Sequence, residues 1–97
     1  MSAHPRLDLN PAFSNPLRFS LVAALSGVDS MVFKDLRDYI ATTDSPLFKH
    51  ASALEELGYV KIKKGFVGKK PQTKLSLTSD GLKAWHTHLA TLQAIAG

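Results

Sequence analysis

Residues 59–77 read Tyr59-Val-Lys-Ile-Lys-Lys-Gly-Phe-Val-Gly-Lys-Lys-Pro-Gln-Thr-Lys-Leu-Ser-Leu77, and this stretch decides the fold. Upstream of it, apolar residues recur every three or four positions. From Tyr59 the period drops to two. Val60 and Ile62 alternate with Tyr59, Lys61 and Lys63, as in a strand with one buried face. Leu75 and Leu77 alternate with Lys74 and Ser76 in a second such strand. Between them, Gly65 to Gln72 carries turn formers at three positions. Two strands and a long basic loop make a β-hairpin. Six of the twelve Lys and Arg fall here, at Lys61, Lys63, Lys64, Lys69, Lys70 and Lys74, and no Asp or Glu occurs from Leu57 to Ser79. Half of the positive charge is therefore gathered on one acid-free segment.

Working upstream, Leu47, Ala51, Leu54 and Leu57 form one stripe at helical spacing, with Gly58 as its stop. Asp44 is the expected N-cap, with Ser45 and Pro46 in the first turn. Phe33, Leu36 and Ile40 mark a shorter helix over 33–41, whose other face carries Lys34, Asp35, Arg37 and Asp38. The polar break Thr42-Thr43-Asp44 leaves a turn of about three residues, the spacing of a helix-turn-helix. Asn15-Pro16 opens a first helix, Leu17, Leu21, Val22 and Leu25 line it, and Gly27 ends it. Ser30 to Val32 is a short extended bridge. Residues 1–14 hold two prolines and no period, so they read as a loose arm set before a domain at 15–97, although Leu7, Leu9 and Phe13 are free to pack.

Downstream, Thr78 caps a last helix over about 78–96. Leu82, Trp85, Leu89, Leu92 and Ala96 repeat along it at alternating spacings of 3 and 4, a narrow heptad seam. Eighteen residues of helix span about 27 Å, long for so small a domain, so part of the seam needs a second chain. Leu17, Leu21, Leu82, Trp85, Leu89 and Leu92 are the expected contacts of a homodimer.

Several function classes are excluded or unsupported. A chain of 97 residues, 44% apolar, builds one domain. It has no cysteine, hence no disulfide, thiolate metal site or cysteine nucleophile. The longest apolar run is Leu21 to Leu25, far short of the roughly 20 residues of a membrane span. The N-terminus lacks the apolar core of a signal peptide, so a cytoplasmic location is expected. His86 and His88 stand two apart and diverge by about 200° on a helix, which does not suit a metal. His50 reads as a satisfied, half-buried histidine. Gly65-Phe-Val-Gly68 is too sparse to cradle phosphate. Glu55 and Glu56 read as ordinary surface charges. Ser26, Ser30 and Ser45 lack an oriented His–acid pair. The expectation is a non-enzyme with no cofactor and no metal.

A helix-turn-helix followed at once by a basic hairpin is a winged helix. The fold class is α+β and mostly α: a three-helix core, a two-stranded basic wing and a long C-terminal helix. Its chemistry suits double-stranded DNA. The helix over 45–57 can enter a major groove, where base edges are distinguishable, and the wing over 61–74 can meet phosphate or the minor groove. By spacing, Ser45, Lys49 and Ser52 point outward as base or phosphate contacts. Phe48 either reaches a thymine methyl or packs on the first helix. Lys69 and Lys70 at the wing tip, flanked by Lys63, Lys64 and Lys74, are the expected backbone contacts.

Five segments in order, Phe33-Lys-Asp-Leu-Arg-Asp38, Thr43-Asp-Ser-Pro-Leu-Phe-Lys-His50, Leu54-Glu-Glu-Leu-Gly-Tyr-Val60, Phe66-Val-Gly-Lys-Lys-Pro71 and Leu77-Thr-Ser-Asp-Gly81, resemble the small winged-helix regulators related to MarR and ArsR. The resemblance covers about residues 15–95. It implies a bacterial or archaeal, dimeric transcriptional regulator that binds duplex DNA. The chain departs from the pattern at Pro46, Phe48 and Ser52, where relatives often carry small, polar or basic residues, and few groups remain for bidentate base contacts. A second reading is therefore a winged-helix protein–protein adaptor without sequence-specific DNA binding, which the acid-free wing opposes. A pocket for a small-molecule effector between the first and last helices is compatible with the order of elements, but no residue specifies one.

Overall fold

Asparagine and proline open the first helix. In the computed structural model, which describes residues 4–97, α1 spans Pro16–Ser26. Asn15 Oδ1 accepts the backbone N–H groups of Leu17 and Arg18, and Pro16 takes a first-turn position that lacks a helical acceptor. Next come β1 (Met31–Val32), α2 (Phe33–Tyr39) and α3 (Asp44–Glu56), then β2 (Val60–Val67), β3 (Lys70–Leu77) and α4 (Ser79–Ala96). The strands form one antiparallel sheet in the order β1-β3-β2. The result is the expected winged helix.

The core sits where helical stripes meet the inner face of the sheet. Leu21, Val22 and Leu25 of α1, Leu36 of α2, and Leu47, Ala51 and Leu54 of α3 pack with Val60 and Leu75. Phe13 and Trp85 close the other end edge to face, with ring centroids 5.7 Å apart. Such a pair adds about 0.5–1.5 kcal/mol to the burial of the two rings.

The segment before α1 is more than a loose arm. Its described part forms two single-turn 3-10 helices, Pro5–Asp8 and Pro11–Phe13. Phe13 is fully buried in the common core. The Asn10 backbone N–H donates to His88 Nδ1, and its side-chain amide donates to the Tyr59 hydroxyl, each at 3.1 Å. A boundary at residue 15 would cut through this packing. Met1 to Ala3 lie outside the described residues.

Three local expectations change. Asp44 is not the cap of α3 but its first residue; Thr43 holds the cap position without a side-chain bond. The Asp44 carboxylate accepts from Arg37 Nη1 at 2.8 Å instead. The wing has no long loop. Pairing runs from Val60–Leu77 to Val67–Lys70, and only Gly68 and Lys69 turn. Gly68, with φ 61°, leads that turn, as two-residue hairpins of the II′ kind require. Finally, the face that α4 buries runs through Gly81, Trp85, His88 and Thr91, sharing Trp85 with the heptad seam and otherwise falling one position before it. At Gly81 the helix lies so close to β2 that an added Cβ would stand 2.1 Å from the Tyr59 carbonyl oxygen. Leu21 and Trp85, expected in a dimer contact, are 0% and 4% exposed within the core and have no surface to offer a second chain.

Candidate nucleic-acid interface

Alternation along the hairpin sorts its side chains onto two faces. On the inner face, the pair Ile62–Leu75 still belongs to the core. The next inner pair, Lys64–Thr73, has left it, and Phe66–Pro71 lies further out. On the outer face, Lys63 stands directly opposite Lys74, with Lys61 and Lys70 on the same side. All six wing lysines are exposed, and among the described residues none pairs with a carboxylate. Like charges directly opposite each other destabilise a strand pair. An anionic partner would relieve that repulsion.

The inner face of the wing meets the start of α3. Ser45, Phe48, Lys64 and Thr73, with Phe33 and Asp44, line a shallow hollow of about 440 Å³. Three of the expected DNA-contact residues, Ser45, Phe48 and Lys64, are thus brought together. Phe48 is 51% exposed and lines this hollow, outside the residues packed on the core. Lys49 is exposed on α3, and Ser52 is half-buried. Lys69 is in the turn and Lys70 opens β3, away from this hollow.

Two side-chain hydrogen bonds tie α3 to its neighbours. Arg18 of α1 donates from Nε to His50 Nδ1 at 2.9 Å. That bond needs a neutral imidazole, and burial, then the charges of Arg18 and Lys49, lower the pKa of His50. Glu55 accepts the backbone N–H of Ile62 at 3.0 Å, pinning the end of α3 to the edge strand β2. Glu55 is therefore more than the surface charge that its sequence context implied. Arg37 bonds Asp38 at 2.9 Å and Asp44 at 2.8 Å, which holds the Asp38 carboxyl below its ordinary range. The two acids nearest the start of α3 are thereby partly offset.

Sequence reasoning missed Phe66 and Val67, which are 75% and 59% exposed near the wing tip. Alternation carried past Ile62 would have put Phe66 on the inner face. Leu82 and Leu89 of α4 are exposed, and Leu17 and Leu92 are half-buried. Leu92 also lines an apolar hollow of about 470 Å³ with Leu9, Phe13, Phe19 and His88. None of the described helices is long and apolar enough to cross a membrane.

A helix-turn-helix whose second helix abuts a protruding lysine-rich hairpin defines a winged helix protein built to approach nucleic acid. The chain belongs to the winged helix DNA-binding domain family, which it matches over residues 17–96. It is 29% identical over 77 residues to the uncharacterized protein MJ0432 of Methanocaldococcus jannaschii, covering 79% of this chain and 84% of that one. Its fold is similar to that of a transcriptional regulator homologue from Pyrococcus horikoshii OT3, with a TM-score of 0.82, 25% identity and coverage of 88% and 84% of the two chains. It also resembles the M. tuberculosis transcriptional regulator MosR, solved in complex with DNA, at a TM-score of 0.73. That likeness is of fold, at 17% identity over 95% of this chain and 65% of MosR.

Proposed function

We propose that the protein is a transcriptional regulator that binds double-stranded DNA as a homodimer, with α3 in the major groove and the wing on phosphate or the minor groove. The observation that carries this reading is the wing itself. Six exposed lysines without acidic partners stand on a hairpin whose inner face continues into the start of α3. Ser45, Phe48, Lys49 and Ser52 are the base-reading or phosphate-contacting set on α3. Lys63, Lys64, Lys69, Lys70 and Lys74 are the backbone set. Phe48, exposed beside Ser45, suits a thymine methyl.

Dimerisation is proposed through Leu17, Leu82, Leu89 and Leu92. Two copies would set their recognition helices about 34–36 Å apart on a pseudo-palindromic site. A small-molecule effector has its best-supported seat in the apolar hollow between the N-terminal segment, α1 and α4. The place of action is the cytoplasm. The adaptor reading is weaker, because a partner without negative charge gives no reason for an acid-free lysine hairpin.

The test is duplex binding at several salt concentrations. With about six phosphates neutralised per dimer, log affinity should fall with log salt at a slope near −5. Lys69→Ala/Lys70→Ala should weaken binding to every sequence and flatten that slope. A protein that ignores duplex DNA at low salt, or a double variant that binds as tightly as the wild type, refutes the reading. Sedimentation of Leu82→Glu/Leu89→Glu as a monomer, against a dimeric wild type, tests the proposed interface.

A further inference from the structure

The wing extends beyond its own core. After Ile62 the strand β2 continues through Val67, five residues or about 17 Å of hairpin beyond the core, bordered near Lys64 and Thr73 by the shallow hollow against α3. Solvated lysines suit such a place; a large aromatic does not. Yet Phe66 stands there 75% exposed, two residues along β2 from the Lys64 that shares a hollow with Ser45 and Phe48, and it lines a hollow of its own with Lys63 and Lys74. Its cross-strand partner is Pro71, which fixes its own backbone and lacks an N–H. The edge of β3 at Pro71 is already free of β1, which pairs only with Lys74 and Leu75, so the missing donor breaks no ladder. The pair is an apolar patch near the wing tip, with Lys64 two residues back along β2 and Lys69 and Lys70 in and just after the turn.

We propose that Phe66, braced by Pro71, is an apolar wedge that enters the minor groove and partly unstacks a base step, making the site sensitive to DNA deformability. The inference rests on the DNA-binding reading above and adds a specificity-determining residue to it. Charge selects the partner, since the hairpin itself carries six lysines and no acid. The narrow minor groove of A·T-rich DNA carries an enhanced negative potential that attracts such side chains. Apolar side chains, Phe and Pro among them, are the groups that pry base steps apart there. The step that yields most readily is pyrimidine–purine, above all TA.

The test uses the full chain and a set of 30-base-pair duplexes alike except at one step, TA, CA or GC, with 2-aminopurine beside it. The wild type should prefer TA and raise 2-aminopurine fluorescence there. Phe66→Ala should bind about tenfold more weakly at every salt concentration with an unchanged slope, because no charge is lost, and should lose the preference for TA. Phe66→Leu, still a wedge, should keep most of both. The side chain is exposed, so each variant should melt close to the wild type. If the wild type binds with a steep salt slope while Phe66→Ala matches it in affinity and fluorescence, the wedge is overturned and DNA binding stands. Failure of Phe66→Leu to outperform Phe66→Ala also overturns the wedge. A wild type without salt-dependent duplex binding overturns both.

Discussion

Lys74→Glu should make the free protein more stable and a poorer DNA binder. Lys74 faces Lys63 directly across the β2–β3 pair, on a surface no other element covers. Opposed like charges cost stability, and opposed unlike charges return about 0.2–1 kcal/mol. Replacing repulsion by attraction should therefore contribute about 0.5–1.5 kcal/mol at an exposed site. For a domain of this size that corresponds to a rise of about 3–10 °C in Tm. Lys and Glu are both poor strand formers, so intrinsic propensity largely cancels. The gain should shrink in 1 M NaCl, where the screening length is about 3 Å.

The same change should weaken duplex binding in the opposite sense. If each protomer of a dimer loses one phosphate contact at Lys74, the salt slope flattens by about 2. At 0.1 M salt the counterion contribution alone then falls about 60-fold. Thermal melts at low and high salt, with fluorescence anisotropy on a labelled duplex, read both quantities. A Tm that drops at low salt would refute the register argument. A Tm that rises while affinity and slope stay constant would show that Lys74 is only a solvated charge.

Arg37→Ala should leave Tm nearly unchanged but weaken duplex binding by about three- to tenfold, since it leaves Asp38 and Asp44 uncompensated beside α3; anisotropy titration checks it. Gly81→Ala should destabilise by about 1–3 kcal/mol or more in a denaturant melt, because its Cβ would meet the backbone of Tyr59. Burial lowers the folded-state pKa of both His88 and His50 from 6.5, so the unfolded chain takes up protons first as pH falls. Stability should be fully present above pH 6.5 and decline below it until the folded-state pKa values are passed, and His50→Gln/His88→Gln should remove most of that slope from a Tm–pH series.

The elements that sequence reveals are those whose burial repeats. Leu47, Ala51 and Leu54 recur because α3 turns one stripe toward a continuous core, and Val60, Ile62, Leu75 and Leu77 alternate for the same reason in the sheet. The outer wing reads as loop because no core follows Ile62–Leu75, so its alternation continues without an apolar signature. No period assigns Phe13 to the core, because its single-turn helix is too short to show one. The Asn10-Pro11 pair repeats the Asn15-Pro16 start, down to a side chain capping the N–H two residues on, and could have announced it. On α4 the apolar seam misled because polar residues are buried beside it. His88 accepts the Asn10 N–H, and Thr91 returns its hydroxyl to the Thr87 carbonyl at 2.9 Å. A buried polar group with a partner leaves no trace in a hydrophobic pattern.

The charge distribution divides the proposed work of binding. Outside residues 57–79 the chain carries six Lys and Arg against eight Asp and Glu, so the positive field comes from the wing. On the proposed reading, α3 then adds little electrostatic affinity and must discriminate with Ser45, Phe48, Lys49 and Ser52. Only Lys49 among these has a charged donor, and none has the planar fork of Arg or the amide of Asn and Gln that grips a base at two points. Direct readout should therefore be thin. Discrimination falls to the thymine methyl opposite Phe48 and to the ease with which a step deforms around the wing. A specificity ratio toward the low end of the 10³–10⁷ range, roughly 10³, follows from this division.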